Sequence, residues 1–577
     1  DGSITITIPG LTDGNGTAVL VRTSGDKETV TDTNTITLKL HYERKTDDYD
    51  NNTSDTSDDW NAWVWGEGIK TEGFKFVREN GEMVATITIN NARSASFASF
   101  RMRQGDWKAN DHNAIDQTID LSNVVSGTVH FYVKQGVWGG TTVLGSDAII
   151  GTKIVNAKYD RNTNSAIITT NRPVAGNVSS AFNFTCVSDK KTLTIKQITE
   201  NGCVYTVEFE ENIAEMSEVI KSYTITFDGF TYSLNMPNIY TTEEFENAYT
   251  YDGKDLGLTY DKEAGKFTFK VWAPTADKVT LNVYQTGAKG DNTGKQSFEM
   301  TKGDKGVWEY TLGDEYHKYY YTYTVDVLNE QNEVCDPYAR TTGVNGDRAM
   351  ILDLDTTDPE GWKEDAKLNL HKDMKYTDAV IYELHVRDLS IHSSSGVKDE
   401  YKGKFLGLTQ TGTKTEGGVT TALDHMIELG ITHLHLLPIY DYASVDESKL
   451  DKPQFNWGYD PLNYNVPEGS YSTDPYNGEV RVKEMKEMIM ALHANNINVI
   501  MDVVYNHVYD AGSFSVNQIV PNYFSRTNED GSFSNGSGCG NDTATERDMV
   551  KRNDEKRYST CHMYLHYDGT LCLRRER

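Results

Sequence analysis

The hydrophobic rhythm of the chain changes once along its length. From Leu38 to about Trp362, apolar and polar residues alternate over short runs such as Ser165-Ala-Ile-Ile-Thr-Thr170 and Tyr223-Thr-Ile-Thr-Phe227. Clusters of Gly, Asn and Asp separate these runs, as in stacked β-sandwiches. Three modules are predicted, over residues 36–139, 140–240 and 241–365. They are preceded by a Thr-rich stretch, residues 1–35, that reads as the end of an upstream module and a linker.

After about Asp378 the period lengthens. Strand-like runs at 379–386, 432–438 and 498–505 enclose two helices. Thr420 to Leu429 sets Leu423, Met426 and Ile427 on one face and stops at Gly430. Val480 to Asn495 sets Val482, Met485, Ile489 and Leu492 inward. Strands alternating with helices at these spacings predict a parallel sheet, and length favours a partial (β/α)8 TIM barrel over 375–550 with about three of its eight β/α units. The expected architecture is therefore multidomain, with N-terminal β-sandwiches followed by part of a barrel. From Lys551 the sequence turns Arg-rich and shows neither period. This tail, 551–577, reads as aberrant, from a shifted reading frame or a chimeric end.

Composition narrows the function. A formal charge of −29 repels phosphate backbones, so nucleic acid is excluded as a partner, whereas a neutral polysaccharide feels no such repulsion. No run of 18 or more apolar residues is present to span a membrane. The chain opens at Asp1, with no initiator Met and no signal peptide, as an internal fragment of a longer chain would. Six cysteines in 577 residues do not form a disulfide framework, and Cys186 and Cys203 read as buried thiols, the alternative being a pair brought together by two strands.

Three stretches carry candidate chemistry. In Trp60-Asn-Ala-Trp-Val-Trp-Gly-Glu-Gly68, Trp63 and Trp65 are two apart on a strand, so both indoles face one side and form a platform for sugar rings. Trp107 is a candidate third wall, and Lys108 and Asp111 are candidate hydrogen-bonding groups. The alternative is a pair of core tryptophans. In Ile500-Met-Asp-Val-Val-Tyr-Asn-His507, Asp502, Asn506 and His507 gather near the strand's C-terminal end, where barrel enzymes place their sites. Phe455-Asn-Trp-Gly-Tyr-Asp-Pro461 is a loop at the same end, contributing Trp457 and Tyr459. His385, His433, His435 and Glu383 read as strand residues with satisfied hydrogen bonds.

Together these motifs resemble type I pullulanases of the α-amylase superfamily. Phe455 to Pro461 is similar to that family's Tyr-Asn-Trp-Gly-Tyr-Asp-Pro signature. Asp502-Val-Val-Tyr-Asn-His507 resembles the superfamily's first conserved region. Gly536 to Asp542 with Glu546 to Val550, and Tyr251 to Gly257 with Val271-Trp-Ala-Pro274, are also pullulanase-like. Trp60 to Gly68 resembles the N-terminal starch-binding module.

The resemblance implies an extracellular or cell-surface bacterial hydrolase of α-1,6 linkages in pullulan and branched starch, acting with retention. Tyr459 would stack on the sugar at the cleavage point, Asp502 and His507 would bind its hydroxyls, Asn506 would brace the loop, and Trp457 would join the substrate-binding set. Trp63 and Trp65, with Trp107, Lys108 and Asp111, would bind glucan remotely. The expected partners are α-glucans: pullulan, starch and glycogen. That module has a Lys-Asp pair before the position of Asp116, where this chain has Asn110-Asp111. No cofactor is required, and a structural calcium ion is compatible with the family although no ligand set is legible.

Retention needs two carboxyl groups roughly 5–5.5 Å apart, supplied in the family by strands four and five. No Gly-Phe-Arg-Phe-Asp run of strand four occurs. The catalytic carboxylates are therefore expected beyond the C-terminus, and the chain itself is expected to be inactive. The alternative function is a non-catalytic α-glucan-binding protein.

Overall fold

A computed structural model describes residues 33–551 and 571–574, apart from 45–58, 67, 106–108, 112–115, 138, 329, 366–367, 369, 372 and 529–530. The chain forms two compact units. One holds most residues up to Pro237, and the other holds residues from Asn238 onward together with 187–189 and 215–222.

The first unit contains two sandwiches. In the first, strand β1 (Trp60–Gly66) pairs with β2 (Ile69–Lys75) and β3 (Phe97–Gln104). The facing sheet is centred on Thr35–Glu43, which runs parallel to Val124–Lys134 and antiparallel to Glu82–Asn90. Ile36, Leu38, Leu40, Ala62, Val64, Ile87, Ile89 and Phe100 fill the space between the sheets and are fully buried. Thr141–Leu144 and Ile149–Ile150 also pair with Val124–Lys134, so this sandwich extends past the predicted boundary at 139. A turn signal at Gly139 and Gly140 marks a hairpin here, not a module junction.

Lys153 closes the module from below. Its ammonium is buried and donates to the carbonyls of Ala92, Ala95, Leu121 and Val124 at 3.2, 2.5, 2.9 and 3.1 Å. A buried charge is tolerated when every donor is used. The second sandwich stacks a four-stranded sheet on a three-stranded one. Cys186 is buried and Cys203 half-buried, and both are free thiols.

The second unit opens with a sandwich of a four-stranded and a five-stranded sheet and continues into a parallel sheet. There β4 (Ile381–Leu384) pairs with β5 (His433–Leu436), and β5 with β8 (Asn498–Val503). Helix α1 (Ala422–Leu429) joins β4 to β5. Between β5 and β8 lie the hairpin β6 (Tyr440–Tyr442) and β7 (Pro461–Pro467), followed by helix α2 (Gly478–Ala494).

Asn477 caps α2 by accepting the Glu479 N–H at 3.1 Å. Val482, Met485, Ile489 and Leu492 are buried as the spacing predicts. Gly430 ends α1 in the left-handed region at φ 70°. Ile427, by contrast, is 42% exposed. One residue past Met426 is a turn of about 100°, which carries Ile427 off the packed face.

The tail departs from expectation. Residues 571–574 form a strand, β9 (Leu571–Arg574), parallel to β8, giving the order β4-β5-β8-β9. Four parallel strands are therefore present where three were predicted. An unpaired edge of β8 offers a row of N–H and C=O groups to any extended segment within reach, even one without the usual period. The tail residues 552–570 lie outside the described residues, as do residues 1–32 of the N-terminal stretch.

Candidate functional site

Along β1 the alternation is strict. Trp60, Ala62 and Val64 are buried, while Asn61, Trp63 and Trp65 are half-buried on the other face. Trp63 and Trp65 are thus not core residues but part of an outward sheet surface. Arg101 pairs opposite Trp63 and Ser99 opposite Trp65, and on the other side Gly73 stands opposite Trp63. The Arg103 guanidinium lies over the Trp63 ring, 4.1 Å from its centroid, so one indole face is occupied by a cation. Arg101 pairs with the Asp116 carboxylate beside this surface.

Asp111 behaves differently from expectation. It is buried and accepts the Tyr42 hydroxyl at 2.7 Å and the Gly136 N–H at 3.0 and 3.2 Å. A carboxylate committed to interior donors braces the module and does not present itself to a ligand. Burial first, and then the hydrogen bond to Asp111 and its charge, push the Tyr42 phenol far above its usual range. Trp107 and Lys108 lie outside the described residues.

At the C-terminal ends of the parallel strands a second constellation forms. The parallel register aligns Glu383 with His435 and His435 with Ile500, and Asp502 follows two residues later on the same face. Asp502 is buried and accepts the Tyr459 hydroxyl at 2.8 Å. His507 Nε2 points at the Tyr459 carbonyl at 2.8 Å, so it carries its proton there, and Nδ1 lies 3.0 Å from the Asn506 amide. Tyr459, Asp502, Asn506 and His507 therefore meet in one place, as expected. Trp457 stands at the loop tip, 62% exposed, with Phe455 beside it, 49% exposed.

Local hydrogen bonds explain the loop's shape. Asn456 accepts the Gly458 N–H at 2.7 Å and donates to Asp460 at 2.7 Å, and Asp460 accepts the Ser444 N–H at 3.0 Å. Gly458 has φ +89°, and a Cβ there would stand 2.9 Å from Pro438, so glycine is required. His385 fastens the loop to β4, its Nε2 lying 2.7 Å from the Asn456 carbonyl and 3.0 Å from the Tyr471 hydroxyl.

Residues 541–543 secure the other wall. Asn541 and Val508 exchange bonds of 2.9 and 2.8 Å, and the Thr543 hydroxyl donates to the Tyr505 carbonyl at 2.8 Å. Asp542 in turn accepts the N–H groups of Gly536 and Ser537 at 2.7 and 2.6 Å and the Ser534 hydroxyl at 2.6 Å. Although burial raises it, these donors outweigh burial and bring its pKa down to about 2.

Sequence reasoning missed His435. It was read as satisfied, yet its buried Nε2 has no hydrogen-bond partner and lies 3.7 Å from Asp502. His433, by contrast, meets Thr432 and Asn498 at 2.8 and 3.2 Å. The signal was present in the alternation of His433 and His435, but only the register with β8 shows which one faces the carboxylate.

Among the described residues two groups are close enough to share a metal ion: Glu383, His435 and Asp502, and Asp441, Glu447 and Glu468. The second group is all oxygen and suits a hard cation such as calcium.

Two family models match the chain: Carbohydrate-binding module 48 (Isoamylase N-terminal domain) over residues 255–339, and Alpha amylase, catalytic domain over 401–530. The pullulanase of Bacillus subtilis is 40% identical over 325 residues, covering 56% of this chain and 43% of its own length. Pullulanase 1, chloroplastic, of Arabidopsis thaliana is 34% identical over 351 residues, covering 53% and 34%.

Among solved structures, pullulanase from Paenibacillus barengoltzii in complex with maltohexaose and α-cyclodextrin matches with a TM-score of 0.54 and 47% identity over 58% of this chain and 50% of that one. Pullulanase from Anoxybacillus sp. LM18-11 complexed with maltotriose matches with a TM-score of 0.60 and 36% identity over 72% and 57%. The chain spans about half or less of the length of the curated relatives it matches.

Proposed function

We propose that this chain, which resembles the type I pullulanases of the α-amylase superfamily over the stretch it shares with these relatives, comes from a debranching glycoside hydrolase of pullulan and branched starch. The observation that carries this reading is the meeting of Tyr459, Asp502 and His507 at the C-terminal ends of parallel strands, inside the segment matched by the α-amylase catalytic domain. On this reading these strands are the opening part of a (β/α)8 barrel.

Tyr459 would offer its ring to the sugar at the cleavage point while its hydroxyl holds Asp502 in orientation. Asp502 and His507 would take that sugar's hydroxyls, Asn506 would fix the His507 ring, and Trp457 would meet the glucan further out. Trp63 and Trp65 would hold a second stretch of the same polymer. Starch does not cross a membrane, which supports an extracellular or cell-surface place of action.

Retaining hydrolysis requires a nucleophile and a separate acid/base. Asp502 is engaged by Tyr459, and Glu383 is exposed on the first parallel strand. We assign neither as nucleophile and propose that this chain binds α-glucan without cleaving it. The purified chain should be retained on a starch gel and release no reducing sugar from pullulan. Release of reducing sugar, abolished by Asp502→Asn, would overturn the binding-only reading. Absence of retention would overturn the glucan assignment.

A further inference from the structure

One cavity of the second unit carries a charge opposite to that of the chain. Its walls come mainly from the stretch between β4 and α1, the loop between β6 and β7, and Ser470 with Tyr471 just after β7. Its volume is about 290 Å³, near the lower end for small-molecule sites and too small for a folded polymer. Arg387, Lys402, Lys404 and Lys452 line it, against the single carboxylate of Asp451. Four cations less one carboxylate leave a net +3 around one hollow, in a chain of formal charge −29.

The protein makes little use of these cations. Elsewhere in the unit, ammonium groups sit on carboxylates, as Lys318 does on Glu479 and Lys486 on Asp358, each at 2.6 Å. Lys404 is different. It is half-buried, and its ammonium donates to the Ser470 carbonyl at 2.7 Å, an acceptor without formal charge. Burial lowers its pKa below the usual lysine range, as befits a cation short of counter-charge. Arg387 has five N–H donors and one hydrogen bond, 3.5 Å to the adjacent Asp388. The Lys452 ammonium makes no hydrogen bond or ion pair with a described residue. Lys402 alone is paired with a carboxylate, that of Asp399 at 2.5 Å.

A second observation comes from His385, which belongs to the same wall and is 7% exposed. Its Nε2 lies 2.7 Å from the Asn456 carbonyl. A carbonyl only accepts, so Nε2 carries the proton and Nδ1 keeps a free lone pair. That Nδ1 is buried and has no hydrogen-bond partner. The wall therefore suits a ligand that brings an O–H as well as negative oxygens.

We propose that this cavity binds a phosphoryl group, free or esterified to a sugar, with Arg387, Lys404 and Lys452 as its cationic donors. A carboxylate would bring two oxygens and one charge to three unspent cations. A phosphoryl group brings three acceptor oxygens and up to two charges, and it matches the guanidinium fork bidentately. Asn456 joins the cavity to the loop that carries Tyr459, but Tyr459, Asp502 and His507 do not line it. The site is therefore independent of the glucan reading.

The test titrates the whole chain with sodium phosphate and with glucose 6-phosphate in a calorimeter, sodium chloride holding the ionic strength constant. The expected result is one site, with a melting midpoint above that in chloride alone. Tighter binding of glucose 6-phosphate assigns the site to a sugar ester, and equal or tighter binding of inorganic phosphate assigns it to the free ion. Arg387→Gln should weaken either ligand at least tenfold with the far-ultraviolet circular dichroism unchanged. Lys452→Gln loses no bond within the protein and should weaken binding a few-fold, so it decides if Arg387→Gln fails to fold. Binding to the folded variants as tight as to the parent chain would overturn the site. No heat from either ligand and a midpoint indifferent to phosphate would mean that water alone solvates these cations, and the proposal falls.

Discussion

On the first sandwich, Trp63 and Trp65 come from a single strand, two residues apart, and share a face because a strand alternates. At the end of the parallel sheet, Tyr459 reaches Asp502 across 43 residues of sequence and the backbone of Tyr459 reaches His507 across 48. The first surface follows from a local rule and tolerates change in its surroundings. The second exists only if three segments arrive together: the loop held by Asn456 and Asp460, the end of β8, and the 541–543 wall. The expected sensitivities of the two regions to mutation and pH therefore differ.

Truncating both indoles together, Trp63→Ala with Trp65→Ala, is expected to weaken retention on a starch gel by on the order of 100-fold or more, since buried aromatic anchors at interfaces cost about 2 kcal/mol or more each. The melting of the parallel sheet should not change. Retention within threefold of the parent would break the local side of the comparison.

Tyr459→Phe removes the hydroxyl that donates to Asp502 and should destabilise the parallel-sheet region by about 1–3 kcal/mol, as expected when a buried acceptor loses its donor. Gel retention through the tryptophan surface should persist. Loss of retention with an unchanged melting profile would mean that Tyr459 holds glucan and does little for Asp502.

Acid should separate the regions more gently. Asp542 has its pKa depressed to about 2 from a usual value near 4, so its contribution is present above about pH 4 and is lost as the pH falls toward 2. Melting of the 505–542 wall should therefore move down over that window, and Asp542→Asn should flatten the response. An identical profile for the variant would remove Asp542 from the account.

The smallest effect is expected from Arg103→Lys. It keeps the charge but loses the planar stack over Trp63, weakening retention a few-fold, in line with roughly 1 kcal/mol for a cation–π contact between a buried Arg103 and a half-buried ring. An increase in retention would mean instead that Arg103 shields the indole from sugar.

Much of this was readable before any coordinates. Alternation placed the two indoles on one shared face, with the outward or core choice left open, and the helix stripe Val482, Met485, Ile489 and Leu492 inward, because side-chain direction follows from backbone period alone. The motif at Phe455 to Pro461 and the run from Asp502 to His507 located the strand end where Tyr459, Asp502 and His507 meet. The same reasoning failed wherever a residue's partner lay elsewhere in the chain. Asp111 looked available and is consumed by Tyr42 and Gly136. His435 looked satisfied, yet its Nε2 faces Asp502 at 3.7 Å without a hydrogen bond. The tail at Leu571 showed no period and still adds a strand, because the edge of β8 supplies the hydrogen bonds that its own sequence does not advertise.

By itself the sequence determined the kinds of module, the faces of their strands and helices, and the resemblance to type I pullulanases. These follow from periodicity and from short contiguous motifs. The tertiary structure alone decided which polar groups are spent inside, which meet at the sheet end, and that Arg387, Lys402, Lys404 and Lys452 line one cavity. Electrostatic and hydrogen-bond energies depend on distance and burial, and neither is set until segments far apart in sequence are packed together.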